Sequence, residues 1–175
     1  MSNLAEILLS GGVAIARTDT LYGVLARADD EMTVERVFEI KGRDRDKPLI
    51  ILLAEADQAF NGAEFVSRFS EQADKPTTVI VDSPGAHEWL RHDDMSVAYR
   101  VPKNKKLLDL LRQTGPLVAP SANPQGHEPA NNIEQAKKYF GESVDWYEDD
   151  GDVPTDQAPS HIVKIKSDNT VEVLR

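Results

Sequence analysis

Residues 41–53 read Lys-Gly-Arg-Asp-Arg-Asp-Lys-Pro-Leu-Ile-Ile-Leu-Leu, so a cationic loop leads directly into an apolar run. The apolar run at 49–53 does not alternate with polar residues, which is typical of a strand buried on both faces of a sheet. Gly42 and Pro48 prevent a helix across the preceding segment. A loop in that place, with four Lys or Arg residues in seven positions, is well suited to bind a phosphate group. The alternative interpretation is a solvated loop without a ligand, in which the aspartates of the loop neutralise its cations.

On either side of this stretch, helical and strand patterns alternate along the chain without repeats or low-complexity segments. Apolar spacing predicts helices at 3–10, 31–40, 55–72, 107–111 and 133–140, and a helical turn at 87–91. Short apolar or β-branched runs predict strands at 13–16, 49–53, 76–81, 96–101, 117–119, 160–166 and 171–173, and the apolar residues around Gly23 at 21–25 indicate a turn into another short element. The acidic segment 145–155 is expected to be a loop. This alternation indicates an α/β fold with a largely mixed sheet.

Length and composition indicate a globular protein of one domain. A chain of 175 residues with 40% apolar content can bury a core that is stable without disulfide bonds or structural metal ions. The sequence contains no cysteine, which excludes disulfides, thiolate metal sites and a Cys nucleophile, and is compatible with a reducing cytosol. The apolar residues between 4 and 16 are interrupted by Glu6 and by Gly11-Gly12 and follow no basic segment, so they predict neither a signal peptide nor a membrane span.

The formal net charge of -10 comes from 30 Asp and Glu residues against 20 Lys and Arg residues. Proteins that coat nucleic acid regardless of sequence need a basic face, so the charge argues against that class. In an acidic chain, a local cluster of cations carries more information about function.

Polar loops follow three of the predicted strands, at 18–20, after Val101 and at 121–123. Ligands of α/β proteins gather outside the carboxyl ends of strands, although Ser and Asn between prolines are also ordinary turn residues. Arg100 lies within a predicted strand, and its guanidinium needs a partner if that face of the sheet is covered. A carboxylate or phosphate ligand would supply one. Exposure of Arg100 on an edge strand is the alternative.

Familiar catalytic and nucleotide-binding motifs are missing. The sequence has no Gly-x-Ser-x-Gly elbow, no Walker-type loop, no Gly-x-Gly-x-x-Gly and no metal-binding spacing among its four His residues. Any phosphate would therefore be held by Arg, Lys and Ser side chains outside a familiar nucleotide loop.

Read in order, several segments resemble the motifs of the YrdC/TsaC family of threonylcarbamoyl-AMP synthases. These segments are Arg17-Thr18-Asp19-Thr20-Leu21-Tyr22-Gly23-Val24, Lys41-Gly42-Arg43 with Lys47-Pro48-Leu49, Pro76-Thr77-Thr78-Val79, Arg100-Val101-Pro102, Ser121-Ala122-Asn123 and Ser160-His161-Ile162. Each motif alone is weak evidence for the family, but together the motifs cover nearly the whole chain in the family's order.

The resemblance implies a single YrdC-like domain over 1–175, built as a twisted mixed β-sheet flanked by helices, with a concave ligand-binding face. It also implies the short form of the family, without the additional C-terminal domain of longer relatives. The implied reaction condenses L-threonine, bicarbonate and ATP, accompanied by Mg²⁺, to threonylcarbamoyl-adenylate and pyrophosphate. Partner proteins in the cytoplasm would then transfer the group to the tRNA adenosine next to the anticodon, with at most weak tRNA contact by this chain and no membrane association.

The resemblance also assigns site residues. Lys41 and Arg43 would be catalytic, and threonine would be bound by Thr20, Arg100 and Ser160. ATP would be bound by Arg43, Lys47, Ser121 and Asn123, and no side chain would bind a metal. Joining two anions relies on positioning and cationic charge rather than on a protein nucleophile, which fits the missing motifs. Two alternatives stay open: a non-catalytic RNA-binding module, and a paralogue that carbamoylates another acceptor.

The chain departs from the family pattern at several positions. Arg17 and Asp44 stand where the family has Pro, and Leu52 stands where longer relatives carry His. Lys75 replaces a Gly, and Gln125 replaces the Ser before Gly126. Arg45 has no counterpart in the pattern and is expected only to balance the neighbouring aspartates.

Overall fold

The computed structural model describes residues 3–47 and 49–175; Pro48 of the cationic loop lies outside the described residues. Five α-helices occur in the described ranges: α1 Asn3–Leu9, α2 Glu31–Lys41, α3 Ala63–Gln72, α4 Lys105–Thr114 and α5 Ile133–Phe140. Short 3-10 turns lie at Ala56–Gln58, Glu88–Leu90 and Gly141–Ser143. In the same ranges, no helix has both the length and the apolar character required to cross a bilayer.

The strands of the described residues are β1 Ala14–Arg17, β2 Tyr22–Arg27, β3 Ile50–Leu52, β4 Thr77–Asp82, β5 Ser96–Arg100, β6 Leu117–Val118, β7 Trp146–Tyr147, β8 His161–Ile165 and β9 Val171–Val173. They form one sheet in the order β7-β1-β2-β6-β3-β5-β4-β8-β9. The pairs β1/β7, β3/β5 and β4/β8 are parallel, whereas the other pairs of neighbouring strands are antiparallel. The predicted α/β fold with a mixed sheet is therefore confirmed.

The apolar run 49–53, which contains β3, packs into two separate core clusters. Leu49, Ile51 and Leu53 belong to the larger cluster, which also contains residues of α2, α3 and α5. Leu52 points the other way, into a smaller cluster formed with α1 and α4. Burial on both faces explains why these positions are all apolar, and confirms the prediction of a central strand.

Two sequence-based boundaries are wrong. The segment 55–72 is not one helix, because Gly62 adopts a left-handed backbone with φ of +70° between the 3-10 turn and α3. The acidic segment 145–155 is not only loop, because Trp146 and Tyr147 pair with β1 as β7. A two-residue strand depends on its partner rather than on its own composition, so its sequence carries little signal.

Helix α2 delivers the cationic loop to one side of the sheet. The Asp30 side chain caps its first turn by accepting a hydrogen bond from the Thr33 amide. At its other end, Gly42 takes a left-handed conformation with φ of +56°, which ends the helix and turns the chain away. The residues that follow are thereby directed to the concave side of the sheet.

Candidate functional site

A cleft of about 600 Å³ opens over one face of the sheet. Ala98 of β5 lies at the centre of its floor, since it pairs with Ile50 of β3 on one side and with Ile80 of β4 on the other. Ala119 and Ile162 extend the floor. Small side chains at the centre leave space that a larger residue would fill, so the sheet presents a concave face there.

The structure brings most of the predicted site residues to this cleft. Those that line it are Thr20, Arg43, Arg100, Ser121 and Ser160. Lys41, Lys47 and Asn123 are not among the lining residues, although each is hydrogen-bonded to a residue of the loops around the cleft.

Arg100 is buried on the floor of the cleft, with 3% of its side chain exposed. Its Nη2 lies 3.0 Å from Oδ1 of Asp19, whose side chain is 6% exposed. This ion pair does not have hydrogen-bond geometry, because Nε of Arg100 and both Asp19 oxygens lack a hydrogen-bond partner within residues 3–47 and 49–175. Burial lowers the pKa of Arg100, and the Asp19 carboxylate opposes that effect. The alternative of an exposed edge-strand arginine is wrong, since β5 is central in the sheet.

Two pairs of hydroxyl groups line the same cleft as this guanidinium. Thr18 and Thr20 share a hydrogen bond of 3.1 Å between their Oγ1 atoms, and Thr18 also donates to the Leu21 carbonyl. Ser160 and Thr78 share one of 3.0 Å, and both are buried. The cleft therefore offers fixed hydroxyl donors and acceptors together with one buried cation.

Gly23 allows the two loops that form one wall of the cleft to meet. A Cβ at this position would lie 3.1 Å from Cγ2 of Thr18 and 3.4 Å from the Pro120 carbonyl oxygen. Gly23 also forms an isolated antiparallel bridge with Ser121. The Gly in this motif is therefore explained by close approach of the loops.

Lys41 lies beneath the wall rather than in the cleft. Its side chain is buried, and its Nζ donates to the carbonyls of Ser121 and Asn123 at 2.5 Å each. Burial lowers the pKa of Lys41 to about 7, and the charge of Arg43 acts in the same direction. The lysine thus ties the end of α2 to the 121–123 loop, and its predicted catalytic role stays a prediction.

The other cations of the loop differ in their surroundings. Arg43 lines the cleft, burial lowers its pKa, and its Nε donates to the Lys47 carbonyl at 3.2 Å. Lys47 is exposed, and its Nζ donates to Asp44 at 2.9 Å. Arg45 forms an ion pair with Glu35 of α2, so the expectation that it balances the neighbouring aspartates is wrong.

Arg175, which belongs to none of the sequence motifs, also lines the cleft. Its Nε donates to the Ser160 carbonyl at 3.0 Å, and its backbone pairs with Ile162. The antiparallel pairing of β9 with β8 brings it there. No local motif marks this arginine, so only the strand pairing reveals it.

A second cavity, of about 730 Å³, lies on the other side of the Thr18-Asp19 segment, near the start of α4. Its Lys106 is already held by Glu148 at 3.2 Å and by Asp150 at 2.5 Å. The buried arginine and the hydroxyl pairs lie in the first cleft, which is therefore the candidate active site. In the part of the chain that the structure describes, no three His, Cys, Asp or Glu residues are grouped to hold a metal ion.

The sequence is similar to a known family and to proteins that carry an enzyme name. The Sua5/YciO/YrdC family model, described as "Telomere recombination", matches residues 6–175. A putative threonylcarbamoyl-AMP synthase of Mycobacterium tuberculosis is 30% identical over 174 residues, covering 95% of this chain and 78% of the relative. Another, of Methanocaldococcus jannaschii, is 30% identical over 175 residues, covering 97% and 82%. These relatives carry the enzyme name that the motifs led us to expect.

Solved structures show the same fold. Sua5 of P. abyssi complexed with L-threonine superposes with a TM-score of 0.85 at 26% identity, covering 98% of this chain. This chain spans about half the length of that protein, 52%. E. coli YciO has a TM-score of 0.84 at 21% identity, covering 98% of this chain and 86% of YciO. The chain belongs to the Sua5/YciO/YrdC family, as its ordered motifs indicated.

Proposed function

We propose that this protein is a threonylcarbamoyl-AMP synthase acting on L-threonine, bicarbonate and ATP. The threonine amine and bicarbonate combine to a carbamate with loss of water. A carbamate oxygen then attacks the α-phosphorus of ATP, and the bond from that phosphorus to the pyrophosphate breaks. The products are threonylcarbamoyl-adenylate and pyrophosphate.

The observation that carries this proposal is the buried guanidinium of Arg100 on the floor of the cleft. Its Nε has no hydrogen-bond partner among the residues that the structure describes, although an unpaired buried donor is costly. A carboxylate ligand would satisfy that donor, and Thr20 and Ser160 offer hydroxyl groups in the same cleft. The related P. abyssi Sua5 that was solved with L-threonine supports an amino acid as this ligand.

ATP would occupy the side of the cleft that carries Arg43 and Ser121. The guanidinium of Arg43 suits the charge of a triphosphate, and Lys47 stands on the same loop. Lys41 and Asn123 support this side through their hydrogen bonds to the Ser121 loop. Since transfer at phosphorus depends on positioning and charge stabilisation, these groups meet the main requirement of the reaction.

Mg²⁺ would arrive with ATP as part of the substrate. The described residues contain no group of three potential ligands, and Mg²⁺ is commonly bound by substrate phosphates with water. We further propose that the adenylate passes to partner proteins that modify a tRNA adenosine. Three arginines of this acidic chain, Arg43, Arg100 and Arg175, line the cleft, which favours catalysis over an RNA-binding role.

The test is release of pyrophosphate from Mg²⁺-ATP by the full chain with and without L-threonine and bicarbonate. We expect release to need all three substrates, and mass spectrometry to detect threonylcarbamoyl-adenylate. Replacing threonine with serine, or bicarbonate with carbamoyl phosphate, tests for a paralogue with another acceptor. Pyrophosphate release that does not respond to threonine would refute the synthase assignment.

A further inference from the structure

A side-chain clasp joins the two loops that flank the proposed ATP side of the cleft. The Oε1 of Gln125 accepts a hydrogen bond from the Asp44 amide at 3.0 Å, and its Nε2 donates to Oδ2 of Asp44 at 2.7 Å. One amide side chain thus contacts both the backbone and the carboxylate of the same residue. Such a two-point contact fixes orientation as well as distance.

The clasp continues a chain of contacts that begins in the core. The backbone N–H of Gln125 donates to the Lys41 carbonyl at 2.8 Å, and the Lys41 ammonium donates to the Ser121 and Asn123 carbonyls. Lys41 is buried at the root of the cationic loop, whereas Asp44 lies at the exposed part. The two loops are therefore joined at the base by Lys41 and farther out by Gln125.

Arg43 lies between these two attachment points. It is flanked along the chain by Gly42, whose backbone is left-handed, and by Asp44, whose amide is held by Gln125. On the helix side, the backbone amides of Gly42 and Arg43 donate to the carbonyls of Glu39 and Phe38, and the clasp fixes the chain on the Asp44 side. Holding Arg43 in place before the ligand arrives lowers the entropy that binding must overcome.

We propose that Gln125 is a positioning residue for the nucleotide, acting through Asp44 to hold Arg43 over the cleft. This inference rests on the proposed function, because it assigns Arg43 to ATP. Gln125 and Asp44 are also two of the positions at which this chain departs from the family pattern. A proline at 44 has no amide N–H to donate, so the clasp needs a residue other than Pro there.

The experiment measures KM for ATP, KM for L-threonine and kcat in the pyrophosphate assay for the full chain and its variants. We expect Gln125→Ala to raise KM for ATP about three- to tenfold, the size expected from losing two exposed hydrogen bonds that preorganise a site. KM for threonine should not change, because Arg100 and Ser160 lie elsewhere in the cleft. Gln125→Glu should be worse than Gln125→Ala, since it sets a carboxylate against that of Asp44.

Arg45→Ala is the matched control, because Arg45 belongs to the same loop but pairs with Glu35 outside the clasp. It should leave both KM values at the wild-type level. An active wild-type protein with an unchanged KM for ATP in Gln125→Ala would overturn the inference. Inactivity of wild type and Arg45→Ala alike would refute the proposed function instead.

Discussion

Replacement of Lys41 by Met tests whether the buried ammonium is as costly to the fold as its surroundings indicate. In the wild type, burial lowers the pKa of Lys41 from 10.5 to about 7. The pH dependence of unfolding should therefore differ between the two proteins. Methionine keeps much of the length of the side chain and removes its charge and its donors.

Two opposing effects set the magnitude near neutral pH. The substitution leaves the Ser121 and Asn123 carbonyls without their donor, at about 1–3 kcal/mol each. It also removes a buried charge, and a pKa lowered by 3.5 units, from 10.5 to about 7, corresponds to about 5 kcal/mol. Because these effects nearly offset each other, a measurement at a single pH would be uninformative.

The sign of the pH dependence follows from proton binding. Between the folded pKa of about 7 and the unfolded value of 10.5, the unfolded chain binds more protons at Lys41 than the folded protein does. The free energy of unfolding of the wild type therefore rises with pH in this window, by up to about 1.4 kcal/mol per pH unit. Below the folded pKa, Lys41 is protonated in both states, so the free energy of unfolding no longer changes with pH through this group. Lys41→Met lacks this pH-dependent gain in stability at every pH.

The assay is urea unfolding at pH 6.5, 7.5, 8.5 and 9.5. Relative to Lys41→Met, the wild type should gain about 3 kcal/mol between the first and last of these values. Lys138→Met, which removes an exposed lysine on α5, controls for the loss of a surface charge and should follow the wild-type profile. Parallel profiles for wild type and Lys41→Met would refute the reasoning.

Further expectations concern the cleft itself. Arg100→Ala should raise KM for threonine about 10- to 100-fold with little change in KM for ATP, as charged hydrogen bonds contribute about 1.5–3 kcal/mol; an equal rise in both would contradict the assignment. Arg43→Ala should lower adenylate formation at least about hundredfold, while urea unfolding changes by less than about 0.5 kcal/mol. Asp19→Asn should lower the free energy of unfolding by up to about 3–5 kcal/mol, because it leaves the Arg100 charge buried without a counter-ion; a Tm equal to that of the wild type would argue against this. Gly23→Ala should cost about 1–3 kcal/mol in urea unfolding, since its Cβ would press on Thr18 at 3.1 Å.

The fold was largely predictable because its strongest signals are local. The unbroken apolar run that leads into β3 indicated a strand buried on both faces, and Ile51 and Leu52 do face different core clusters. The β-branched segments of β4 and β5 were equally clear. The two-residue β7 was missed, because its pairing with β1 is a property of the folded chain.

The site was predictable to the extent that its residues lie in recognisable motifs. Thr20, Arg100 and Ser121 meet in one cleft although they come from distant parts of the sequence. The placement of Lys41 was beyond sequence reasoning, because burial beneath a loop depends on where its carbonyl acceptors lie. Arg175 reaches the cleft only through the pairing of β9 with β8.

The alternation of side chains along β5 has a consequence for folding. Val97 and Tyr99 point into the core, whereas Ala98 and Arg100 point into the cleft. If β5 paired with its neighbours one residue out of register, its two faces would be exchanged. The guanidinium of Arg100 would enter the apolar core and Tyr99 would fill the cleft, at the cost of burying an unpaired charge. Arg100 therefore also protects this central strand against misregistered pairing as the sheet assembles.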